Sequence, residues 1–434
     1  MRRLVLSGHI SQQRVRDDLP RAVTSAQEAI AAVTLICQEV RESGISALKA
    51  HSEKFDGVVP KDFRVPAEEL QAALANQSPE LTAAIEIAIE RVRKVSRAAV
   101  PKGFEVSLGP DSVVEQRYQP VDSVGLYVPG GKAVYPSSVV MNVVAALEAG
   151  VPRLAICSPA QAEFGGLPHP SILATAQMLG VTEVYVIGGA TAIAAFAYGV
   201  PEIGLEPVRV VTGPGNIYVA TAKRLLRGVI GIDSEAGPTE ILILADDTAD
   251  PEFLAADLIS QAEHDENAAA VLVSPSSALL DRVEASIATQ LLSTKNATRA
   301  QIALSGVQSA LVLVDSIEAG VELANHYGTE HLEIQTADNE AVLDAISNAG
   351  AIFMGDYSPV SLGDYLAGSN HVLPTGEQAK FGPGLGIHTF LRPQQIIRYG
   401  KSGLEKVTEA LDLLSRTEGL PAHGEAARVR FLKS

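Results

Sequence analysis

Hydrophobic and polar positions follow two different rhythms along this chain. From about residue 22 to 98, apolar residues recur at helical spacing in stretches such as AQEAIAAVTLICQEV and ELTAAIEIAIERVRKVSRAAV, with charged residues between them, the pattern of helices that bury one face. From about 122 the pattern changes to short β-branched runs that end in glycine and lead into a helical stretch: SVGLYVPGG, RLAICSPA, EVYVIGGA and RVVTGPGN. Each reads as strand, turn, helix. Their spacing of about 30 residues suits parallel βαβ crossovers, so a Rossmann-like sheet covered by helices is predicted between 122 and 238. A second series supplies the strand candidates EILILAD, AAAVLVSP, SALVLVD, HLEIQT and GAIFMGD, with helices predicted at about 251–265, 276–292, 316–326 and 338–348. The fold class is therefore α/β, and the two series are candidates for distant copies of one fold. Beyond 376 the Gly- and Pro-rich TGEQAKFGPGLGIH precedes a last helical segment at about 403–417 and a short tail. That end reads as an arm.

The length of 434 residues provides material for about three domains. With 47% hydrophobic and 20% charged residues, the chain is neither a disordered tail nor a fibre. The 51 acidic residues outnumber 34 Lys and Arg, a formal charge of -17, which disfavours nucleic acid and anionic membrane as partners and favours small molecules. No apolar run approaches the roughly 18 residues of a membrane helix, and the opening MRRLVLSGHI is too short for a secretory signal, so a cytoplasmic location is expected. Cys37 and Cys157 are the only cysteines and form no CxxC. A bound metal would then use His, carboxylate or amide ligands.

Candidate chemistry gathers in a few places. GPGNIY at 213–218 follows a strand and opens a helix; it suits either a pyrophosphate at a helix N-terminus or a tight βα turn. Tyr127 ends a strand beside a Gly-Gly turn in GLYVPGGKAVYPSS, an address for cofactor contact or for covering a core edge. Among nine histidines, His264, His331, His371 and His423 neighbour carboxylates or amides. By contrast His9, His51, His169 and His388 read as ordinary loop or surface residues, and His326 closes a predicted helix. In DLISQAEHDEN, Gln261 and His264 stand three apart on a helix, a spacing that serves a shared metal or a solvated helix end. Glu330 and His331 in YGTEHLEI form an adjacent pair suited to proton transfer. DYSPVSLGDYLAGSNHVLPT places Asp364 and His371 in a loop-rich stretch, and EGLPAHGE puts Glu418 and His423 near a terminus where disorder is the usual expectation.

Taken in order, YVPGGKAVYPSSVVMN, GPGN, SQAEH, TEHLEI, GDYLAGSNHVLPT and EGLPAH resemble the histidinol dehydrogenase family over nearly the whole chain. The resemblance implies zinc- and NAD-dependent four-electron oxidation of L-histidinol to L-histidine through L-histidinaldehyde. It also implies one Zn2+ per subunit on Gln261, His264, Asp364 and His423, and Glu330 and His331 as the catalytic proton acceptors. Tyr127, Thr191 and Asn216 fall on NAD-contact positions. Thr239, His371 and Glu418 take substrate positions, joined by His331 and the four ligands. Departures from the family pattern are Thr191 in place of Gln, Thr329 in place of Pro, Thr239 in place of Ser, and the segment KFGPGLGIHTF. The implied fold is a pair of incomplete Rossmann-like domains, one inserted in the other, with small N- and C-terminal extensions interlocking a homodimer whose active sites are shared. The matching boundaries are 1–26 for the N-terminal extension, 27–115 with 240–378 for the discontinuous first domain, 116–239 for the insert and 379–434 for the C-terminal arm. A paralogous NAD-dependent dehydrogenase of another small polyol or amino alcohol is the alternative activity, and a catalytically idle binding or regulatory homologue is the alternative of another class.

Overall fold

The computed structural model describes residues 1–22, 26–130, 134–235 and 237–432. The chain divides into two compact units, Met1–Ala99 with Asp122–Thr389, and Val100–Val121 with Phe390–Ser434. In chain order the strands are β1 (Arg2–Leu6), β2 (Phe104–Gly109), β3 (Ser112–Pro120), β4 (Val124–Tyr127), β5 (Leu154–Ser158), β6 (Glu183–Val186) and β7 (Val210–Thr212). They continue with β8 (Gly231–Ile232), β9 (Glu240–Ala245), β10 (Ala269–Ser274), β11 (Ala310–Val314), β12 (Thr329–Gln335), β13 (Ala349–Met354) and β14 (Leu391–Tyr399).

The first unit holds two parallel sheets, ordered β6-β5-β4-β7-β8 and β1-β11-β10-β9-β12-β13. Counted from β4 and from β9, both run third, second, first, fourth, fifth, the doubly wound order in which a crevice opens between the first and fourth strands. The whole five-stranded sheet lies in sequence between β1 and β9, so one Rossmann-like domain is inserted in the other. Every residue of β9 and β10 is buried, as parallel strands covered on both faces require. The helix Pro251–Ala262 shows how local sequence seats such an element. The Asp250 side chain caps it by accepting from the Glu252 amide, Pro251 opens its first turn, and Leu254, Ala255, Leu258 and Ile259 pack into the core.

The helical opening resolves into Ala26–Ser43, Ile45–His51, a π-helical turn at Ser52–Asp56, Ala67–Ala75 and Pro79–Ala98. Its partner differs from the one the family resemblance implies. Val33, Ile36, Cys37, Val40 and Leu48 share a core with Tyr127, Ala155, Cys157 and Tyr185 of the five-stranded sheet, because the apolar stripe of these helices meets that sheet's open face. Arg2–Leu6, placed by the resemblance in an N-terminal extension, instead pairs in parallel with β11 as the edge of the six-stranded sheet.

The second unit is a β14-β3-β2 antiparallel sheet with the helices Lys401–Thr417 and Pro421–Arg428. β14 pairs along the full length of β3. The tail where disorder is the usual expectation is helical: the Asp412 carboxylate accepts from Arg416 one turn on in its own helix and from Arg428 of the next, which ties the two helices together. Among the described residues, no helix is long and apolar enough to cross a membrane.

Candidate active site

Glu330 and His331 open β12, between β9 and β13, and both are buried. The β13 backbone can approach there because Gly350 has no Cβ, which would lie 2.5 Å from the Glu330 carbonyl oxygen. Glu330 Oε2 accepts from Thr239 Oγ1 at 2.5 Å and from the Glu240 amide at 2.9 Å. Burial nevertheless pushes its carboxyl well above the usual carboxylate range. Near its ordinary pKa a carboxylate is a weak base at neutral pH, and raising it brings it toward the working pH. His331 Nδ1 lies 3.0 Å from the Glu240 carbonyl oxygen. A carbonyl only accepts, so Nδ1 holds the hydrogen and Nε2 is left with a free lone pair. Burial lowers the imidazole to about 4 against the opposing charge of Asp364, keeping it neutral and able to accept a proton at pH 7.

Around this pair stand the other polar groups of the first unit. Gln261, buried on the helix Pro251–Ala262, donates Nε2 to Thr239 Oγ1 at 2.6 Å, completing a chain from Gln261 through Thr239 to Glu330. His264, one turn further, has Nε2 3.9 Å from Asp364 Oδ2. His371 donates from Nδ1 to the Asp364 carbonyl at 2.9 Å, and its Nε2 accepts from Ser138 Oγ at 3.1 Å. The inserted domain thereby contributes the start of its helix Pro136–Glu148 to the wall. Burial lowers His371 as well, with Asp364 opposing. Among the described residues no three His, Cys, Asp or Glu side chains converge on one point as metal ligands. His264 and Asp364 supply two such groups, and the Gln261 carboxamide leaves its oxygen for a third. A nitrogen and oxygen donor set of this kind suits a borderline divalent cation.

A separate hollow of about 490 Å3 lies beyond the carboxyl ends of the inserted sheet, lined by Tyr127, Pro159, Gly188, Gly189, Thr191 and Asn216 together with His51 and Asp56. This is where a doubly wound sheet takes a nucleotide, and the volume is that of a small-molecule site. Two helices begin there, Gly189–Tyr198 and Ile217–Leu226, and their N-termini offer amide groups to an anion. The Tyr127 hydroxyl accepts from the Gly189 amide at 3.0 Å, and burial pushes it up to about 12. Asn216 Oδ1 accepts from the amides of Tyr218 and Val219, capping its own helix. The GPGN turn tolerates only glycine at its first position: Gly213 has a φ of +116°, and a Cβ there would sit 2.0 Å from the Tyr127 carbonyl oxygen. Buried Lys223 and Asp233 hold the turn. Lys223 donates to Asp233 Oδ1 at 2.6 Å and to the Gly213 carbonyl at 2.5 Å, while Asp233 Oδ2 accepts from the Gly213 amide at 2.9 Å.

Gly131 of the Gly-Gly turn, with Lys132 and Ala133, and Ala236 of AGPTE lie outside the described residues. Glu418 and His423 lie in the second unit, both exposed, at the end of Lys401–Thr417 and in Pro421–Arg428. Two features escape the sequence reading. His51, read there as ordinary, is buried; its Nε2 lies 2.7 Å from Glu39 Oε2, and its Nδ1 accepts from Thr191 Oγ1 at 3.0 Å. No local spacing relates residues 39, 51 and 191, so no sequence signal was there to find. Lys223 did leave one, a charged residue among Val219, Ala222 and Leu226 on the apolar face of IYVATAKRLL.

Fold and site together define a two-domain Rossmann-like α/β enzyme with a buried carboxyl–imidazole pair. The histidinol dehydrogenase family model matches residues 19–431. Relatives bearing that name share 57% identity over 413 residues in Leifsonia xyli subsp. xyli, covering 95% of each chain, and 56% over 416 residues in Thermobifida fusca, covering 96% of this chain and 94% of that one. A crystal structure of histidinol dehydrogenase from Elizabethkingia anophelis superimposes with a TM-score of 0.93 at 31% identity, over 100% of this chain and 99% of that one. The chain belongs to the histidinol dehydrogenase family and is an oxidoreductase.

Proposed function

We propose that the protein oxidises L-histidinol to L-histidine in the last steps of histidine biosynthesis, using two NAD and one water and passing through L-histidinaldehyde. The observation that carries this reading is the buried pair: a neutral His331 with Nε2 free and a Glu330 carboxyl that burial raises well above the usual carboxylate range, side by side on one strand. In the first oxidation His331 Nε2 takes the alcohol proton as the carbinol carbon loses hydride. In the second, Glu330 takes a proton from the water that adds to the aldehyde, and His331 takes the hydroxyl proton of the resulting diol. NAD, when bound, accepts the hydride at each oxidation; the hollow with its two helix N-termini and the residues Tyr127, Thr191 and Asn216 would hold it. Zinc, when bound, orients the substrate's imidazole and amine; Gln261, His264 and Asp364, with His423, would hold it. Thr239, His371 and Glu418 would contact the substrate. Thr239 also fixes Glu330, and His371 is itself fixed by Ser138 and the Asp364 backbone.

The reading extends to a cytoplasmic homodimer with shared sites. His423 and Glu418 belong to a different compact unit from every other site residue, which suits exchange of arms between two symmetric subunits. Both cysteines are free and buried, in keeping with a reducing compartment. Exhaustive chelation is expected to abolish histidinol-dependent NADH formation, and one equivalent of zinc per subunit to restore it. Full activity in metal-free protein, shown as such by elemental analysis, would contradict the assigned ligand set.

A further inference from the structure

The helix Pro251–Ala262 and β12 carry the two halves of the site, and a second contact joins them away from it. Asp257 lies one turn before Gln261 and so projects from the same side of the helix. Glu333 lies two residues beyond His331 and so shares its face of β12. Glu333 has no exposed surface and Asp257 is 7% exposed. Glu333 Oε1 accepts from Gln335 Nε2 at 2.6 Å, whereas Oε2 meets no amide, hydroxyl or cationic donor among the described residues. The carboxyl that bears on it most directly is that of Asp257, likewise buried. The other charge felt at Glu333 is Asp356, also acidic, and its cross-strand partners Ile243 and Phe353 are apolar. Two bare carboxylates only accept, so a hydrogen bond between them requires a proton on one.

We propose that Asp257 and Glu333 share one proton and form a clasp that positions the helix bearing Gln261 and His264 against the strand bearing Glu330 and His331. The positioning role rests on the reading of Gln261 and His264 as metal ligands; the shared proton does not. Loss of the clasp would shift Gln261 and, through Thr239, the hydrogen bond on Glu330. Burial raises both groups, Asp257 to about 6 and Glu333 well above its ordinary value. Their folded-state values thus exceed the unfolded ones, so the pair costs no stability below about pH 4, where both states are protonated, and a growing amount as pH rises toward the folded values.

The test compares the zinc-loaded wild type with Glu333→Gln, whose amide donates to Asp257 without a titrating proton, and Glu333→Leu, which cannot. Infrared spectra at neutral pH are expected to show the carbonyl stretch of protonated carboxyls, with part of that signal lost in Glu333→Gln. The Tm of Glu333→Gln should exceed that of the wild type by a margin that widens from pH 5 to pH 9, reaching roughly 2 °C or more. Zinc affinity should fall about 10-fold or more in Glu333→Leu, in the range seen for groups that orient metal ligands, and be recovered in Glu333→Gln. An unchanged infrared signal with parallel Tm profiles would overturn the shared proton. Equal zinc affinity in the Leu and Gln variants would overturn the positioning role. Should the wild type bind no zinc, the infrared and Tm comparisons still decide the proton, and amide exchange over 251–264 decides the clasp: faster only in Glu333→Leu supports it, equal in both variants overturns it.

Discussion

His331→Asn is expected to slow oxidation of both histidinol and histidinaldehyde by about 10²- to 10⁴-fold, the usual contribution of a positioned proton acceptor. The Asn amide can still donate to the Glu240 carbonyl, so the local fold is kept while the Nε2 lone pair is lost. Glu330→Gln is expected to behave differently. Its amide oxygen still accepts from Thr239 and the Glu240 amide, but it takes no proton, and only hydration of the aldehyde needs one taken from water. The aldehyde step should therefore fall by a similar factor and the alcohol step by much less. Steady-state rates on each substrate separate the two. Equal losses on both for Glu330→Gln would remove the division of labour. The same variant should melt at a higher temperature than the wild type at pH 8. A buried carboxyl whose folded value lies far above its unfolded one costs stability as pH rises past the unfolded value, and the amide is free of that cost.

The second large effect concerns the metal. His264→Ala and His423→Ala are each expected to lower zinc affinity by at least roughly 100-fold, more than loss of an outer partner costs, and to lose activity with it. Folding should survive, because His264 is one-third exposed and stands 3.9 Å from Asp364 rather than in a close hydrogen bond, and His423 is exposed. Mixing the two inactive proteins under conditions that allow subunit exchange then becomes informative. With shared sites, a heterodimer gathers both lesions into one pocket and leaves the other intact, so activity returns to as much as half of the wild-type value in the heterodimer fraction. With each chain building its own site, every pocket keeps a lesion. No recovery despite verified heterodimers would rule out the shared arrangement.

The parallel strands were legible because strands buried on both faces are mostly apolar: EILILAD, AAAVLVSP and SALVLVD are β9, β10 and β11, and HLEIQT is β12 although it buries polar side chains alternating with Leu332 and Ile334. The hairpin of β2 and β3 was not. Its strands are exposed or half-buried along most of their length, so FEVSLG and SVVEQRYQP carry no core pattern. RRLVL was too short to announce an edge strand. At the site, Gln261 and His264 were found through helical spacing and Glu330 with His331 through adjacency. The links that give them chemistry join residues about 90 apart, such as Thr239 to Glu330 and His331 to the Glu240 carbonyl. Those contacts arise from β9 and β12 lying side by side, which no single stretch of sequence encodes. The carboxyl of Glu333 shows the same limit: on sequence it is one more polar residue in HLEIQT, and only its burial against Asp257 gives it a role.

The central claim, that one site performs both oxidations, is tested most directly by counting products. Purified zinc-loaded protein is supplied with L-histidinol and excess NAD, and NADH and L-histidine are quantified in the same sample as the reaction runs to completion. Two NADH per histidine are expected, with no free aldehyde accumulating, because the Glu330 and His331 pair serves the alcohol and the hydrated aldehyde without release. One NADH per histidinol consumed, with aldehyde as the product and no histidine formed, would contradict it.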